Sequence, residues 1–224
     1  MRTSIQRVMV FDVETSGLIP KDRSNILITA LPYILQLSFV IFETNGWNIV
    51  KTMNTYVNIS HDVPIAQNIY ELTGITREMC NNGYPMHTVL REFINEYQKC
   101  DFIVAHNIQF DREMIKIELE RNRAYFQGPD LLTFDREYEK EQAKTNYCTM
   151  YGGRNLCKIE RKNARGETYY KSPKLVELHE HLFSKTPKNL HNSLIDTFIC
   201  LRCFIKMRFK FELSLKHFPH IEFE

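Results

Sequence analysis

The chain has 224 residues, of which 43% are hydrophobic and 25% are charged, so it can bury a sizeable core as one α/β domain with insertions. Its net charge of +2 excludes a strongly basic or acidic protein, so any surface that attracts a polyanion has to be local. The N-terminus has no signal-peptide pattern, and the most apolar stretch, residues 26–42, is too short to span a bilayer. We therefore expect no membrane partner and an intracellular protein of the cytoplasm or nucleus, not secreted, with reduced cysteines.

Strand patterns come first along the chain, because β-branched and aromatic side chains concentrate at residues 8–11, 35–42 and 47–59. Apolar spacing then becomes helical, which predicts helices at residues 65–72, 86–97, 109–121, 174–183 and 193–207. One further strand is predicted at 101–105. Strands first, then alternating helices and strands, predict a sheet with helices on its faces. No repeat or linker divides the chain, so we expect a single domain over residues 1–224.

A basic segment at about residues 148–174 interrupts this order. Alternating residues on either side of Ala164-Arg165-Gly166 predict a β-hairpin. The segment carries seven basic and two acidic residues, a local excess of five positive charges in a balanced chain. Two interpretations are open. It is either a solvated surface hairpin or an arm that holds a phosphate backbone through Lys158, Arg161, Lys162 and Arg165.

Acidic side chains lie at the ends or beginnings of predicted apolar strands and helices at three places along the chain. Asp12 and Glu14 lie at the end of the first strand, where residues two apart point to the same side. Asp111 lies in the first turn of a predicted helix, where the helix dipole alone also favours an acid. Asp196 lies in the last helix, five residues after His191. Buried acids at close range repel unless cations hold them together, so one shared cleft would imply divalent metal.

His191 and Asp196 would not share a helical face, because residues five apart in a helix lie about 140° from each other around its axis. If both serve one cleft, His191 has to lie in the loop or irregular first turn, with Asp196 on the helix proper. A loop histidine with an unperturbed pKa near 6.5 suits a general base. Taken alone, the same histidine would be assigned to backbone hydrogen bonds at a helix start.

Together, the ordered motifs D-x-E-T-x-G, H-N-x-x-F-D and H-x-x-x-x-D resemble the DEDDh 3′–5′ exonucleases, relatives of the proofreading subunit of bacterial replicative DNA polymerase. The resemblance covers about residues 8–204, and the basic segment is similar to stand-alone members found in large DNA viruses. It implies a ribonuclease H-like fold: a mixed five-stranded sheet, three antiparallel strands then parallel ones, flanked by helices. The hairpin would be an insertion into a core of about 8–208, followed by a tail at 209–224.

The resemblance also implies site roles. Two Mg²⁺ or Mn²⁺ ions would be held by Asp12, Glu14, Asp111 and Asp196, with His191 deprotonating the attacking water. The segment Leu72-Thr73-Gly74-Ile75-Thr76 looks like the family's G-I-T segment beside the nucleotide pocket. The terminal nucleotide would meet Thr15, Leu18, Ile75, His106, Asn107 and Phe110. For the His106 side chain, hydrogen bonding to nearby backbone is the alternative.

Several alternatives stay open. The substrate is single-stranded or duplex DNA ends, which we favour, or RNA 3′ ends, and a catalytically silent nucleic-acid-binding module is the rival class. A DNA polymerase or repair partner is compatible with the motifs, and the oligomeric state is not indicated. Cys200-x-x-Cys203 with Cys148 and Cys157 would suit zinc, although an apolar helix favours structural cysteines. The aromatic and basic tail either packs on the body or grips a single strand.

Overall fold

The computed structural model describes residues 6–188 and 190–213, and one mixed sheet forms its centre. Its strands are β1 Arg7–Thr15, β2 Ile34–Glu43, β3 Asn48–Asn58, β4 Tyr84–Pro85, β5 Phe102–Ala105 and β6 Thr145–Cys148. Their spatial order is β4-β3-β2-β1-β5-β6. The first three strands form an antiparallel meander, and β5 and β6 add in parallel beside β1. The predicted mixed α/β sheet is therefore confirmed.

The sheet has six strands where the resemblance implied five, and the residue pattern located only four of them, leaving out β6 and the very short β4. This two-residue strand pairs in parallel with the end of β3. Gly83 precedes it, and a Cβ there would lie 2.6 Å from the carbonyl oxygen of Tyr56. Only glycine lets the chain pass so close to β3. A strand of two residues has no periodicity of its own, so the sequence pattern could not reveal it.

Helices cover both faces of the sheet. Within the described residues they are α1 Gln67–Thr73, α2 Arg77–Asn81, α3 Met86–Gln98, α4 Ile108–Arg121, α5 Arg136–Glu141, α6 Thr149–Cys157, α7 Leu175–Phe183 and α8 Ser193–Phe209. The five predicted helices agree with α1, α3, α4, α7 and α8 to within two residues at each end. Helices α2, α5 and α6, each of nine residues or fewer, were not predicted.

The alternation of β1 decides where its acids point. Met9, Phe11 and Val13 enter the core that contains α3 and α4, whereas Val8 and Val10 enter the core against α8. Asp12 and Glu14 continue the second series, because side chains two apart share a face of a strand. Both carboxylates are therefore directed to the side of the sheet that α8 covers.

The basic segment contains a two-stranded antiparallel sheet, β7 Glu160–Lys162 with β8 Thr168–Tyr170, and every one of these six residues is exposed. After α8, Phe211 packs on Trp47 with ring centroids 4.7 Å apart, and Leu213 is buried. The tail therefore packs on the body as far as residue 213, and residues 214–224 lie outside the described residues. Within the part of the chain described, no helix combines the length and apolarity needed to cross a bilayer.

Glu96 on α3 supports a test of stability against pH. Burial alone would raise the pKa of Glu96, but hydrogen bonds from Lys51, Lys99 and Arg7 lower it to about 2, against 4.5 in an unfolded chain. A carboxyl with a lowered folded pKa stabilises the protein above its unfolded pKa, and this contribution is lost as pH falls from about 4.5 towards 2.

We therefore predict that Glu96→Gln lowers the free energy of unfolding at neutral pH by about 2 kcal/mol and flattens the acid dependence, as measured by urea unfolding between pH 2 and 7. Glu92→Gln is the matched control, because Glu92 contacts Lys51 from a half-exposed position on the same helix. Equal acid profiles for Glu96→Gln and the unmodified chain would contradict the assignment.

Candidate active site

The site begins at the carboxyl end of β1, where the strand pairs with β2. Asp12 lies opposite Ser38 and Glu14 lies opposite Gln36. The pairing shifts register between Glu14 and Thr15, and β1 ends at Thr15, one residue after the second acid. Both acids are partly buried, and their side chains point to the α8 side of the sheet.

A buried polar network fixes the start of α8 over these acids. Ser193 Oγ lies 2.6 Å from Ser38 Oγ, and the Ser193 backbone N–H donates to Gln36 Oε1 at 3.3 Å. Asn54 Oδ1 accepts hydrogen bonds from both Gln36 and Ser38. All three bonded residues of β2 and α8 are buried, so these polar groups have to satisfy one another. The first turn of α8 is consequently held beside Asp12 and Glu14.

His191 lies two residues before α8, in a left-handed conformation with φ +66°. Its backbone N–H donates to Asp196 Oδ2 at 3.2 Å, and Asp196 lies in the first turn of the helix. A loop histidine beside a helical acid is the arrangement that the spacing predicted. One possible ligand atom from each of Glu14, His191 and Asp196 lies within 4.8 Å of the other two. Among the described residues, no cysteine belongs to such a group, so nothing supports a zinc site at the cysteines.

Asp111 closes the cluster from the other side of β1. It lies in the first turn of α4, and only 3% of its surface is exposed. Its Oδ1 accepts a hydrogen bond of 3.3 Å from the backbone N–H of Val13, the residue between Asp12 and Glu14. The helix-dipole role considered for Asp111 is therefore compatible with a role in the site, because the same first turn abuts β1.

The crowded acids resist ionisation. Burial raises the pKa of Asp12 well above its usual value, and the charges of Asp111, Asp196 and Glu14 raise it further. Burial and then Asp196 raise the pKa of Glu14 to about 8. Burial also raises the pKa of Asp111 to about 8, although the Val13 N–H opposes it. The pKa of Asp196 rises to about 7 by burial, opposed by the His191 N–H.

These residues fit divalent cations. The donors are carboxylate oxygens with one imidazole, which is a set suited to hard metal ions. Asp196 Oδ1 is buried and has no hydrogen-bond partner among the described residues, so its lone pairs are open to a ligand. A cation would also offset the burial that raises all four pKa values and the repulsion that adds to it at Asp12, Glu14 and Asp111.

A cleft of about 560 Å³ begins two residues beyond Glu14, where the chain that follows β1 lines it from Ser16 to Leu18; none of the four acids is in its lining. Leu18 lines this cleft and is 84% exposed. Thr15 is buried, and its hydroxyl donates to the Gly17 carbonyl at 2.8 Å. Phe110 is partly buried against the core.

Three other residues that were expected to contact the nucleotide are not in the lining of this cleft. Ile75 is 1% exposed and packs in the core, so its side chain is not accessible to a nucleotide. Asn107 adopts a left-handed backbone with φ +72° at the start of α4, and its side chain makes no capping bond there. The two ring nitrogens of His106 both have partners within the protein. Burial lowers its pKa to about 4, so the neutral ring donates from Nε2 to the Pro173 carbonyl and accepts at Nδ1 from Thr149. No ring nitrogen of His106 remains for a nucleotide.

Comparison with known proteins agrees with this architecture. The sequence model of a protein family, RNase_T, described as Exonuclease, matches residues 9–204 of the chain. The chain belongs to this exonuclease family. The matched span includes all five residues of the acid and histidine cluster and the basic hairpin.

Two bacterial relatives are similar in sequence over part of this exonuclease. "3'-5' exonuclease DinG" of Bacillus subtilis is 36% identical over 58% of the chain. "DNA polymerase III PolC-type" of Streptococcus sanguinis is 31% identical over 54% of it. The alignments cover only 12% and 7% of the lengths of these two proteins.

Two solved structures share the fold at 15% sequence identity. E. coli Exonuclease I in complex with a dT13 oligonucleotide superposes with a TM-score of 0.60, covering 91% of this chain and 41% of that one. A 3'-exonuclease described with a histone mRNA stem-loop superposes with a TM-score of 0.62, covering 91% and 64%. The six-stranded sheet and its helices are therefore the exonuclease fold.

Three residues that hold the site together were not among the predicted ones: Gln36, Ser38 and Ser193. A signal was present, because Gln36 and Ser38 are polar residues two apart in an otherwise apolar strand and so share one face. Their partner on α8 could not be read from the same pattern, since Ser193 is 155 residues away from Ser38 in sequence.

The raised carboxyl pKa values predict how stability depends on pH and metal. A carboxyl whose pKa rises on folding stabilises the protein while it is protonated, and the contribution disappears as pH rises through the folded pKa. In EDTA we expect the unfolding temperature to fall between about pH 5 and 8, because the folded values of Glu14, Asp111 and Asp196 lie at about 7 to 8.

A divalent cation should restore the unfolding temperature at pH 8, because binding to the folded state stabilises it. Asp111→Asn should flatten the pH dependence and weaken the response to the cation. Glu71→Gln, at an exposed position on α1, is the control and should behave as the unmodified chain. A cation response unchanged by Asp111→Asn would remove Asp111 from the metal site.

Proposed function

We propose that this exonuclease hydrolyses nucleic acid from the 3′ end and releases nucleoside 5′-monophosphates. The observation that carries the proposal is the convergence of Asp12, Glu14, Asp111, Asp196 and His191 at the end of β1. They come from one strand, two helices and one loop, and the four acids resist ionisation unless cations are bound. A binding module without catalysis would not need the full set, so the silent-module alternative is disfavoured.

Asp12, Glu14 and Asp196 would hold one Mg²⁺ or Mn²⁺ ion, and Asp12 with Asp111 would hold the second. When bound, two such ions supply charge neutralisation at the phosphoryl oxygens and a more acidic water. The carboxylates have fixed positions on β1, α4 and α8, and these positions would determine where the two ions are held. Asp111 is itself held by the Val13 N–H, so its second oxygen keeps a defined direction.

His191 would act as the general base. Burial and the charge of Lys174 lower its pKa, so the ring is neutral at physiological pH and can accept a proton. The water oxygen forms a bond to the terminal phosphorus while His191 takes the water's proton. The bond from phosphorus to the 3′-oxygen breaks, and that oxygen takes a proton from solvent. Although the ring is partly desolvated, His191 lies on a loop with much of its surface accessible, which lets its ring reach water.

DNA is the favoured substrate, because the PolC-type relative is named as a DNA polymerase and E. coli Exonuclease I was solved with a dT13 oligonucleotide. The PolC-type relative also supports a polymerase or repair partner as a proposal. RNA 3′-end trimming is the second candidate, supported by the structural likeness to the 3'-exonuclease described with a histone mRNA stem-loop. Cytoplasmic or nuclear placement stays a prediction.

Activity can be tested on matched 3′-labelled DNA and RNA strands, single-stranded and duplex, with Mg²⁺ or Mn²⁺. We expect stepwise release of 5′-monophosphates, faster from DNA, and no turnover for Asp12→Ala, which removes a metal ligand. His191→Asn should lower kcat by about 10² to 10⁴-fold, the range of general-base catalysis. His181→Asn, an exposed histidine on α7, is the matched control.

No release of mononucleotides from any strand by the unmodified protein would reject the proposed function. Activity that survives Asp12→Ala would reject the metal assignment alone. Faster release from RNA than from DNA would favour the second candidate.

We further propose that the hairpin contacts the nucleic-acid backbone. The C-terminal end of the hairpin segment lies next to the site. The Pro173 carbonyl accepts a hydrogen bond from His106, and Lys174 is near enough to lower the pKa of His191. Lys171 is neutralised by Glu177. The four exposed cations proposed to meet phosphates form no ion pair with any described acid; they are Lys158, Arg161, Lys162 and Arg165.

Salt dependence tests this contact. The logarithm of the binding constant decreases linearly with the logarithm of the salt concentration. The magnitude of this slope falls by about 0.7 to 0.9 for each phosphate contact that a substitution removes, so Arg161→Gln with Lys162→Gln should lower the magnitude by about 1.5. Arg136→Gln with Lys140→Gln, which removes one exposed arginine and one exposed lysine from α5, is the matched control. An unchanged slope in fluorescence-anisotropy titrations of the hairpin variant would exclude the hairpin as a backbone contact.

A further inference from the structure

The cleft beside the acids is bounded by two segments that lie outside the sheet. One wall contains residues 29–33, between β1 and β2, and the other contains residues 60–64, between β3 and α1. Among the described residues, Asp62 is the one charged side chain in the lining, and no cation lines the cleft. The cleft is therefore suited to the base and sugar of a terminal nucleotide and not to its phosphate.

Arg121, the last residue of α4, holds the first wall from behind. Its Nη2 lies 2.9, 3.1 and 3.2 Å from the carbonyl oxygens of Ile28, Leu31 and Pro32. The guanidinium stacks over the ring of Tyr33 at 3.6 Å from the ring centroid. Each of these contacts is made to the segment 28–33, so one side chain fixes the whole wall.

Glu118 keeps Arg121 in place, because its Oε1 accepts from Arg121 Nη1 at 2.5 Å and from the Ile34 backbone N–H at 3.1 Å. The wall in turn is tied to the chain that leaves the catalytic strand. Tyr33 and Ser16 exchange two hydrogen bonds of 2.9 Å, one from the Ser16 N–H and one to the Ser16 hydroxyl. Displacement of the wall would therefore reach Ser16, which also lines the cleft.

Arg77, the first residue of α2, holds the second wall in the same way. Its Nη1 donates to the Ser60 carbonyl at 3.2 Å, and its Nη2 donates to the Val63 carbonyl. Two arginines on different helices thus capture main-chain carbonyls of the two opposite walls. Neither arginine lines the cleft, so neither is placed to touch a substrate there.

We infer that Arg77 and Arg121 are positioning residues that set the separation of the cleft walls and so determine how tightly the terminal nucleotide is held. Arginine suits this task because its planar, multidentate donor set fixes several carbonyls at once, whereas lysine offers a single point charge. The inference rests on the proposed exonuclease activity, because it assigns the cleft to the substrate's 3′ end.

Steady-state kinetics on a single-stranded oligothymidylate tests the inference. Removing Arg121 alone would leave Glu118 as a buried unpaired charge and could unfold the protein, so the variant is Glu118→Gln with Arg121→Met. The glutamine that replaces Glu118 would retain an acceptor for the Ile34 N–H. We expect KM to rise by about five-fold or more while kcat stays within about two-fold, because the acids and His191 are untouched.

Arg77→Met should likewise raise KM while leaving kcat within about two-fold of the unmodified value. Inhibition by the product, thymidine 5′-monophosphate, should weaken in parallel in both variants. Arg123→Met is the matched control: Arg123 lies two residues beyond Arg121, is exposed and pairs with Glu120 at the surface. Its kinetic constants should equal those of the unmodified chain.

Equilibrium binding of the same oligothymidylate in EDTA gives a readout that does not require hydrolysis. Weaker binding by both variants at unchanged unfolding temperature supports the inference, even if the unmodified protein fails to cleave and the proposed function is rejected. Unchanged KM and unchanged binding overturn it, as does a decrease confined to kcat. Absence of oligothymidylate binding by the unmodified protein overturns it as well.

Discussion

Repulsion among four carboxylates at the end of β1 is the constraint on which the rest of the structure depends. Burial raises the pKa values of all four groups, and the charges of neighbouring acids raise those of Asp12, Glu14 and Asp111 further, so the fold holds the acids together at a cost in stability. Such a cost is tolerated where a site requires it. Divalent cations convert the same repulsion into binding, which makes metal affinity and fold stability two aspects of one interaction.

Buried neutral polar groups hold the acids in place. Ser193 joins the start of α8 to Ser38 and Gln36, which lie directly opposite Asp12 and Glu14. These groups carry no net charge, so they position the acids without a large effect on their ionisation. His106 plays a comparable part, since its neutral ring joins the start of α4 to Thr149 and to the end of the basic segment.

Irregular chain surrounds the chemical centre, and arginine side chains give it shape. Main-chain carbonyls in loops need partners, and Arg121 and Arg77 supply them from helices. A cleft bounded by loops can thereby be as well defined as one bounded by strands. The basic hairpin differs, because four of its cations, Lys158, Arg161, Lys162 and Arg165, face solvent with no ion pair among the described residues, and this leaves them available to a polyanion.

The sequence by itself determined the order of the main elements, the shared face of Asp12 and Glu14, and the loop position of His191. Those features follow from periods of 2 and 3.6 residues, which act over a few neighbouring positions. Only the tertiary structure decided the sixth strand, the burial of Ile75, the use of both His106 nitrogens and the captured carbonyls. Each of those depends on contacts between segments distant in sequence, and no local pattern encodes which distant segments meet.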